Sequence, residues 1–329
     1  MSMPVLARAE QDALSQWVEQ IAPDAFQIAS PIARIEWRTS TYSSSYASYI
    51  GTLRLVSGDE HSFFLKDFGF SQLSKDGRVE RRDREIRVYR DLLARANLDT
   101  PKYYASMWDE DAGRFWLLLE FVRGAEVRHS GLEYWIAAAG WLGRMQGHFL
   151  RSSVDLNGAE FLLRHDADRF RTKGFDALRN VFQIATPLGK RFETILRDYD
   201  RLVDLMAAQP RTLVHGAYRP SNILISLANS RVCVVDWEVA SYGATLYDLA
   251  FFADGFKPPT LDRIFDTYEQ EAATHGVAVP ERHEMKYVFD VFRFYRIVNW
   301  LSRAVEKGFS EKETAKLVAL GDEISRLVY

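Results

Sequence analysis

The sequence predicts an α+β chain of two lobes, a small β-rich lobe over residues 1–121 and a larger, mainly helical lobe over 122–329. Three observations carry that expectation. The 329 residues exceed what one hydrophobic core spans, since single cores stop growing at roughly 250–300 residues. Alternating β-branched and aromatic runs are concentrated between Phe26 and Phe121. After Gly124 the apolar residues recur mostly at helical spacing, broken by one β-rich island at Leu213–Val235. The 47% apolar and 26% charged content is that of a folded globular chain.

Leu14, Trp17, Val18 and Ile21 mark a first amphipathic helix, which Pro23 is expected to stop. Strands follow at Ile32–Arg38, Tyr49–Val56 and Ser62–Phe68, the last two joined by the turn Ser57-Gly58-Asp59-Glu60. A charged helix carries the stripe Val79, Ile86, Tyr89 and Leu93. Two more strands, Lys102–Trp108 and Arg114–Phe121, meet across Asp109–Gly113. Trp135–Phe149 reads as an apolar helix whose Gly140, Gly143 and Gly147 call for close approach of a neighbouring backbone, because glycine otherwise weakens a helix. Helical patterns resume over Phe175–Met206 and run from the island to Tyr329.

Composition excludes several classes. Forty-two basic and forty-five acidic residues leave a net charge of −3, which gives no overall pull toward nucleic acid or anionic membrane. The longest strongly apolar stretch, Tyr134–Gly143, is half of what a bilayer needs. Charged Arg8, Glu10 and Asp12 interrupt any leader-like apolar run, so a cytoplasmic location is expected. The lone Cys233 rules out an intramolecular disulfide and a multi-thiolate zinc site. No Walker, dinucleotide-binding, nucleophile-elbow or H-E-x-x-H motif occurs, and no two of the seven histidines stand at metal-ligand spacing.

The island holds the chemistry. Leu213-Val214-His215-Gly216-Ala217-Tyr218-Arg219-Pro220-Ser221-Asn222 is followed by an apolar strand ending in Asp236-Trp237-Glu238. Magnesium takes hard oxygen ligands from one or two carboxylates or amides together with phosphates and water. Asn222 and Asp236 offer that donor set, although both equally serve as strand ends.

His215-Gly216-x-x-x-Pro220-x-Asn222 followed by Asp236 resembles the catalytic loop and metal-binding acid of the aminoglycoside phosphotransferase and choline kinase superfamily. These are small-molecule relatives of protein kinases, and the resemblance implies their bilobal fold, with ATP or GTP and Mg²⁺ as cofactors. It implies that Lys66, in Phe63-Phe64-Leu65-Lys66, holds the nucleotide phosphates and that Glu85 positions Lys66. Without the resemblance, Lys66 reads as a solubilising strand lysine and Glu85 as one half of a solvated pair with Arg81 or Arg82. Ser43, Ser44, Ser45 and Ser48 occupy the phosphate-covering loop, and Glu120 and Val122 the hinge that meets adenine. His215 braces the loop, Asp248 reaches back to it, and Gln146 stands where the family usually has histidine.

One position departs from the pattern: Ala217 replaces the family's catalytic carboxylate. A methyl group neither orients an acceptor hydroxyl nor takes its proton. Three accounts follow: a kinase with a displaced base, a silent nucleotide-binding module, or an alanine engineered into an active kinase. Glu238 is the nearest substitute base, and Tyr218 a weaker one. The acceptor is expected to be a small-molecule hydroxyl compound, set between the loop and the helices of roughly 150–210 and 258–329. Aromatic Phe289, Phe292, Phe294 and Tyr295 there belong either to the core or to a pocket wall. A monomer or weak homodimer, with no nucleic-acid or membrane partner, completes the expectation.

Overall fold

A computed structural model describes residues 8–41, 46–71 and 77–329. By internal contact the chain divides into two units, Met1–Ala125 with Leu224–Glu238, and Glu126–Ile223 with Val239–Tyr329.

The first unit is built on a five-stranded antiparallel sheet of order β1-β2-β3-β5-β4. Its strands are β1 (Ile32–Thr39), β2 (Tyr46–Leu55), β3 (Glu60–Ser71), β4 (Tyr103–Asp109) and β5 (Arg114–Glu120). Helix α1 (Arg8–Phe26) lays Leu14, Trp17, Val18 and Ala22 against Leu53, Phe63, Leu65, Trp116 and Leu118. Burying such apolar side chains is worth roughly 1.5–3 kcal/mol each. Trp17 and Trp116 anchor the contact at 5.4 Å between ring centroids.

Pro23 does not stop α1, contrary to the sequence expectation. Ala22 is fully buried and Phe26 packs on Phe63 and Tyr104, so tertiary contact holds the last turn. The helix ends instead at Gln27, whose φ of 53° is left-handed. The helix expected over Val79–Leu93 also differs. It runs as α2 (Arg78–Arg87), a π-helical turn Val88–Leu92 and a 3₁₀ turn Leu93–Arg95. Ile86, Tyr89 and Leu93 are buried as expected, while Val79 lies exposed at the first turn.

The segment after Asn222 supplies β9 (Ile223–Ser226) and β10 (Val232–Val234), which join β6 (Gly124–Glu126) in the order β10-β9-β6. Sequence reading placed this hairpin with the C-terminal lobe. Its contacts run to the first unit, because Leu224 and Cys233 bury against Val122.

The second unit is mainly helical. It comprises α3 (Leu132–Arg151), α4 (Ala167–Ile184), α5 (Thr186–Ile195), α6 (Tyr199–Ala207), α7 (Leu246–Ala253), α8 (Thr260–Thr274), α9 (Arg282–Leu301) and α10 (Glu311–Val328). A small sheet places β11 (Ser241–Ala244) between β7 (Leu163–Arg164) and β8 (Arg211–Val214). The α3 glycines do what their spacing requires. A Cβ on Gly143 would lie 2.9 Å from the Ala272 nitrogen and the Tyr268 carbonyl oxygen, and one on Gly147 would lie 2.3 Å from the His275 Cβ. Helix α8 therefore lies directly on α3.

Candidate active site

In the first unit three segments far apart in sequence converge on one amine. Strand β3 pairs Lys66 with Ser48 on β2 and Leu117 on β5. Since β3 buries Phe63 and Leu65 on the α1 side, alternation sends Lys66 to the other face. There its Nζ donates to Glu85 Oε2 of α2 at 2.7 Å and to Asp236 Oδ1 at 2.8 Å. The rings of Phe68 and Tyr46 lie 5.2 and 5.5 Å from the ammonium. Ser48 is buried and its hydroxyl donates to the Tyr46 carbonyl at 3.3 Å. Ser43, Ser44 and Ser45 lie outside the described residues.

Burial works to lower the Lys66 pKa, but Asp236, Glu85 and Glu238 overcome it and hold the amine well above its usual range. Burial pushes Glu85 up to about 7, against the pull of Lys66. Asp236 itself stands at a left-handed φ of 70°, a conformation aspartate tolerates better than most residues. Two arginines of α2 add a layer: Arg81, which the sequence offered as a solvated partner of Glu85, and Arg84, which it did not single out. Arg84 is buried and donates to the Glu238 carbonyl at 2.6 Å, and Arg81 meets the Glu238 carboxylate at 3.4 Å. Glu238, read as a substitute base, is thus an ion-pair acceptor within the first unit.

The hinge residues have their own partners. Glu120 accepts from Arg231 and from the Lys102 amide, while Val122 is buried beside Leu224 and Cys233.

The second unit carries the loop from His215 to Asn222. His215 is fully buried, and Gly216 takes a φ of 77° where a Cβ would lie 2.3 Å from the Val239 carbonyl oxygen. Only glycine fits there. Asp248, in the first turn of α7, accepts from the His215 amide at 2.6 Å and the Gly216 amide at 3.0 Å. Burial pushes its carboxyl up to about 7 while those two amides pull it down.

Ala217 is held through its backbone alone. Its amide donates to His215 Nδ1 at 3.2 Å, and its carbonyl accepts from the Arg219 amide at 2.7 Å and Asn222 Nδ2 at 3.0 Å. That bond turns the Asn222 amide oxygen toward the Ser221 hydroxyl, 3.4 Å away. Tyr218 is not a base. Its hydroxyl donates to the Ala138 carbonyl at 2.8 Å, and burial holds the phenol well above its usual range. Gln146 replaces the expected histidine as a buried brace, donating to the Thr245 carbonyl at 2.6 Å and accepting from the Tyr268 hydroxyl at 2.7 Å.

The α9 aromatics that sequence reading weighed as a pocket wall, Phe289, Phe292, Phe294 and Tyr295, are all core residues. Among the described residues no three His, Cys, Asp or Glu side chains form a metal cluster by themselves.

Residues 51–287 match the family model described as the phosphotransferase enzyme family. The chain belongs to that family. The matched stretch contains Lys66, Glu85, His215, Asn222, Asp236 and Asp248. No curated protein matches the sequence.

Solved structures share the fold of this phosphotransferase-family chain at low identity. A macrolide 2'-phosphotransferase from Brachybacterium faecium superposes with a TM-score of 0.60 at 17% identity, over 94% of this chain and 96% of the other. A choline kinase from Cryptosporidium parvum gives 0.63 at 12%, over 96% and 95%. An aminoglycoside phosphotransferase in a ternary complex with streptomycin and ATP gives 0.59 at 14%, over 99% of each chain. Family and fold together make small-molecule phosphotransferase the general class of this chain, with the α+β, protein-kinase-like architecture. No helix among the described residues is long and apolar enough to cross a membrane.

Proposed function

We propose that this chain binds Mg-ATP, or Mg-GTP, and transfers the γ-phosphoryl group to a hydroxyl of a small molecule, slowly for want of a carboxylate at position 217. The observation that carries this reading is the convergence of Glu85 and Asp236 on Lys66 at 2.7 and 2.8 Å. A strand lysine set by a helix glutamate, beside an aspartate able to take a metal ion, is the set of groups that phosphoryl transfer uses.

The donor set fits the cofactors. Lys66 supplies a fixed positive charge for phosphate oxygens, Glu85 positions it, and Asp236 and Asn222 offer the carboxylate and amide oxygens that magnesium prefers. Magnesium, when bound, neutralises charge on the transferring phosphoryl group. Ser43, Ser44 and Ser45 are proposed to cover the phosphates, with Glu120 and Val122 flanking adenine. The bond between the acceptor oxygen and the γ-phosphorus forms as that phosphorus parts from its bridging oxygen and the nucleoside diphosphate leaves. The hydroxyl proton goes to solvent, because Ala217 has nothing to accept it. A loose transition state tolerates this loss better than most reactions, since positioning dominates.

Ala217 also favours a second reading, in which the chain binds nucleotide and performs no transfer. Both readings require nucleotide binding. Mg-ATP or Mg-GTP should raise the melting temperature, and Asp236→Ala should erase the rise. If neither nucleotide shifts the wild-type protein, both readings fall.

A further inference from the structure

Within the second unit, a cavity of about 570 Å³ opens beside the loop and is bounded in part by Trp135, Arg219, Ser221, Phe252, Phe256 and Arg296. Small-molecule sites span roughly 300–1,000 Å³. Arg219 and Ser221 are two and four residues beyond Ala217, so a ligand here lies against the loop that carries Asn222. The wall is aromatic: Trp135 tilts against Phe252 at 5.2 Å and meets Phe256 edge-on at 5.0 Å. Such rings present a rigid, flat apolar face to a ring-shaped ligand.

The charges decide what else the ligand carries. Arg128, Arg219 and Arg296 line the cavity, against a single lining carboxylate, Asp254. Asp254 is already committed, accepting from Arg293 Nε at 2.6 Å and pairing with Arg296. Arg293 is itself bound to Asp290 at 2.7 Å, and Arg128 is paired with Glu126. Arg296 keeps one buried nitrogen, Nε, without a hydrogen-bond partner, and Arg219 is exposed with no ion pair among the described residues. A cationic acceptor meets arginines here and no available carboxylate. A carboxylate meets planar guanidinium groups that match it in shape and charge.

We propose that this cavity is the acceptor site and takes a ring-bearing hydroxy-carboxylate, with the ring on the part-exposed Trp135 and Phe256 and the anion on Arg219. This rests on the phosphotransferase reading and names its substrate class. The sequence expectation set the acceptor between the loop and the helices of 150–210 and 258–329; the cavity meets the loop and, through Arg296, the second of these, while Trp135, Phe252 and Phe256 stand in place of 150–210.

Three probes of one shape test it: 4-(hydroxymethyl)benzoate, its neutral amide, and the cationic 4-(aminomethyl)benzyl alcohol, each titrated calorimetrically into the full chain. The benzoate should bind about tenfold or more tighter than the amide, as one charge-assisted hydrogen bond allows, and the cation weakest. Arg219→Gln should bring benzoate and amide to within about twofold. Equal affinities, a preference for the cation, or no binding of the benzoate overturns the proposal, as does an anion preference that survives Arg219→Gln. The charge series on the wild-type protein needs no variant to fold. The Mg-ATP thermal shift, measured on the same sample, separates the two claims. A shift without anion preference sinks only the substrate class, and anion binding without a shift sinks only the phosphotransferase reading.

Discussion

The surroundings of Lys66 and those of Ala217 are held together by different forces. Around Lys66 the bonds are ion pairs between side chains from β3, α2 and the turn after β10, and burial shifts the protonation of the groups that make them. Around Ala217 the bonds run through the backbone, and the Asp248 carboxylate that braces the loop accepts from amides. The first region manages charge; the second holds a shape. That contrast explains how a family residue can be missing without visible damage. The 217 side chain contributes no bond to the loop, so alanine leaves its geometry in place.

The largest effect expected from this contrast is on rate. Ala217→Asp should increase phosphoryl transfer by ~10²–10⁴-fold, the usual contribution of a general base, and leave the Mg-ATP thermal shift unchanged. Flat turnover with intact nucleotide binding would show that the loop keeps a shape and no chemistry.

A second test concerns protonation in the first unit, on the face of β3 opposite Lys66. Burial pushes Asp67 up to about 6, against the Gly69 amide that donates to it at 2.9 Å. Between pH ~4 and ~6 the folded chain therefore holds a proton on Asp67 that the unfolded chain has lost, so stability falls as pH rises through that window, and Glu85 and Asp248, raised to about 7, extend the fall to pH ~7. Asp67 alone contributes a slope of about 1.4 kcal/mol per pH unit, or ~3 kcal/mol. Denaturant unfolding from pH 4 to 8 should show that fall, and Asp67→Asn should flatten its lower part.

The smallest effect concerns the backbone-held loop. Asp248→Asn keeps one acceptor oxygen but turns an amide group toward the second backbone donor, which should cost about 1–3 kcal/mol in unfolding free energy. Nucleotide affinity should change far less than stability. An equal loss of both would mean that the two regions are not independent.

Much of this was legible in the sequence. Alternation located all five strands of the main sheet, and the spacing from His215 to Asn222 located the loop. Lys66 and Glu85 were found by resemblance, because a strand lysine and a glutamate in a charged helix carry no local signal. What escaped depended on distant partners. Arg84 carried no sign of its role until the Glu238 carbonyl to which it donates was in view. Helical spacing cannot separate a core aromatic from a pocket aromatic, so Phe289 and Tyr295 were open while Trp135 and Phe256 went unnoticed. Pro23 misled because packing by Ala22 and Phe26 outweighs one lost donor.

The placement of Leu224–Glu238 with the first unit has a consequence for how the gene can be divided. The polypeptide passes from one unit to the other three times, after Ala125, Ile223 and Glu238. A fragment ending at Ala125 would keep Lys66 and Glu85 but lose Asp236, and the remainder would carry Leu224 and Cys233 without the Val122 they bury against. Exchanging the segment Met1–Ala125 with that of a relative therefore requires moving the hairpin as well, and shuffling at a single crossover is expected to yield insoluble protein.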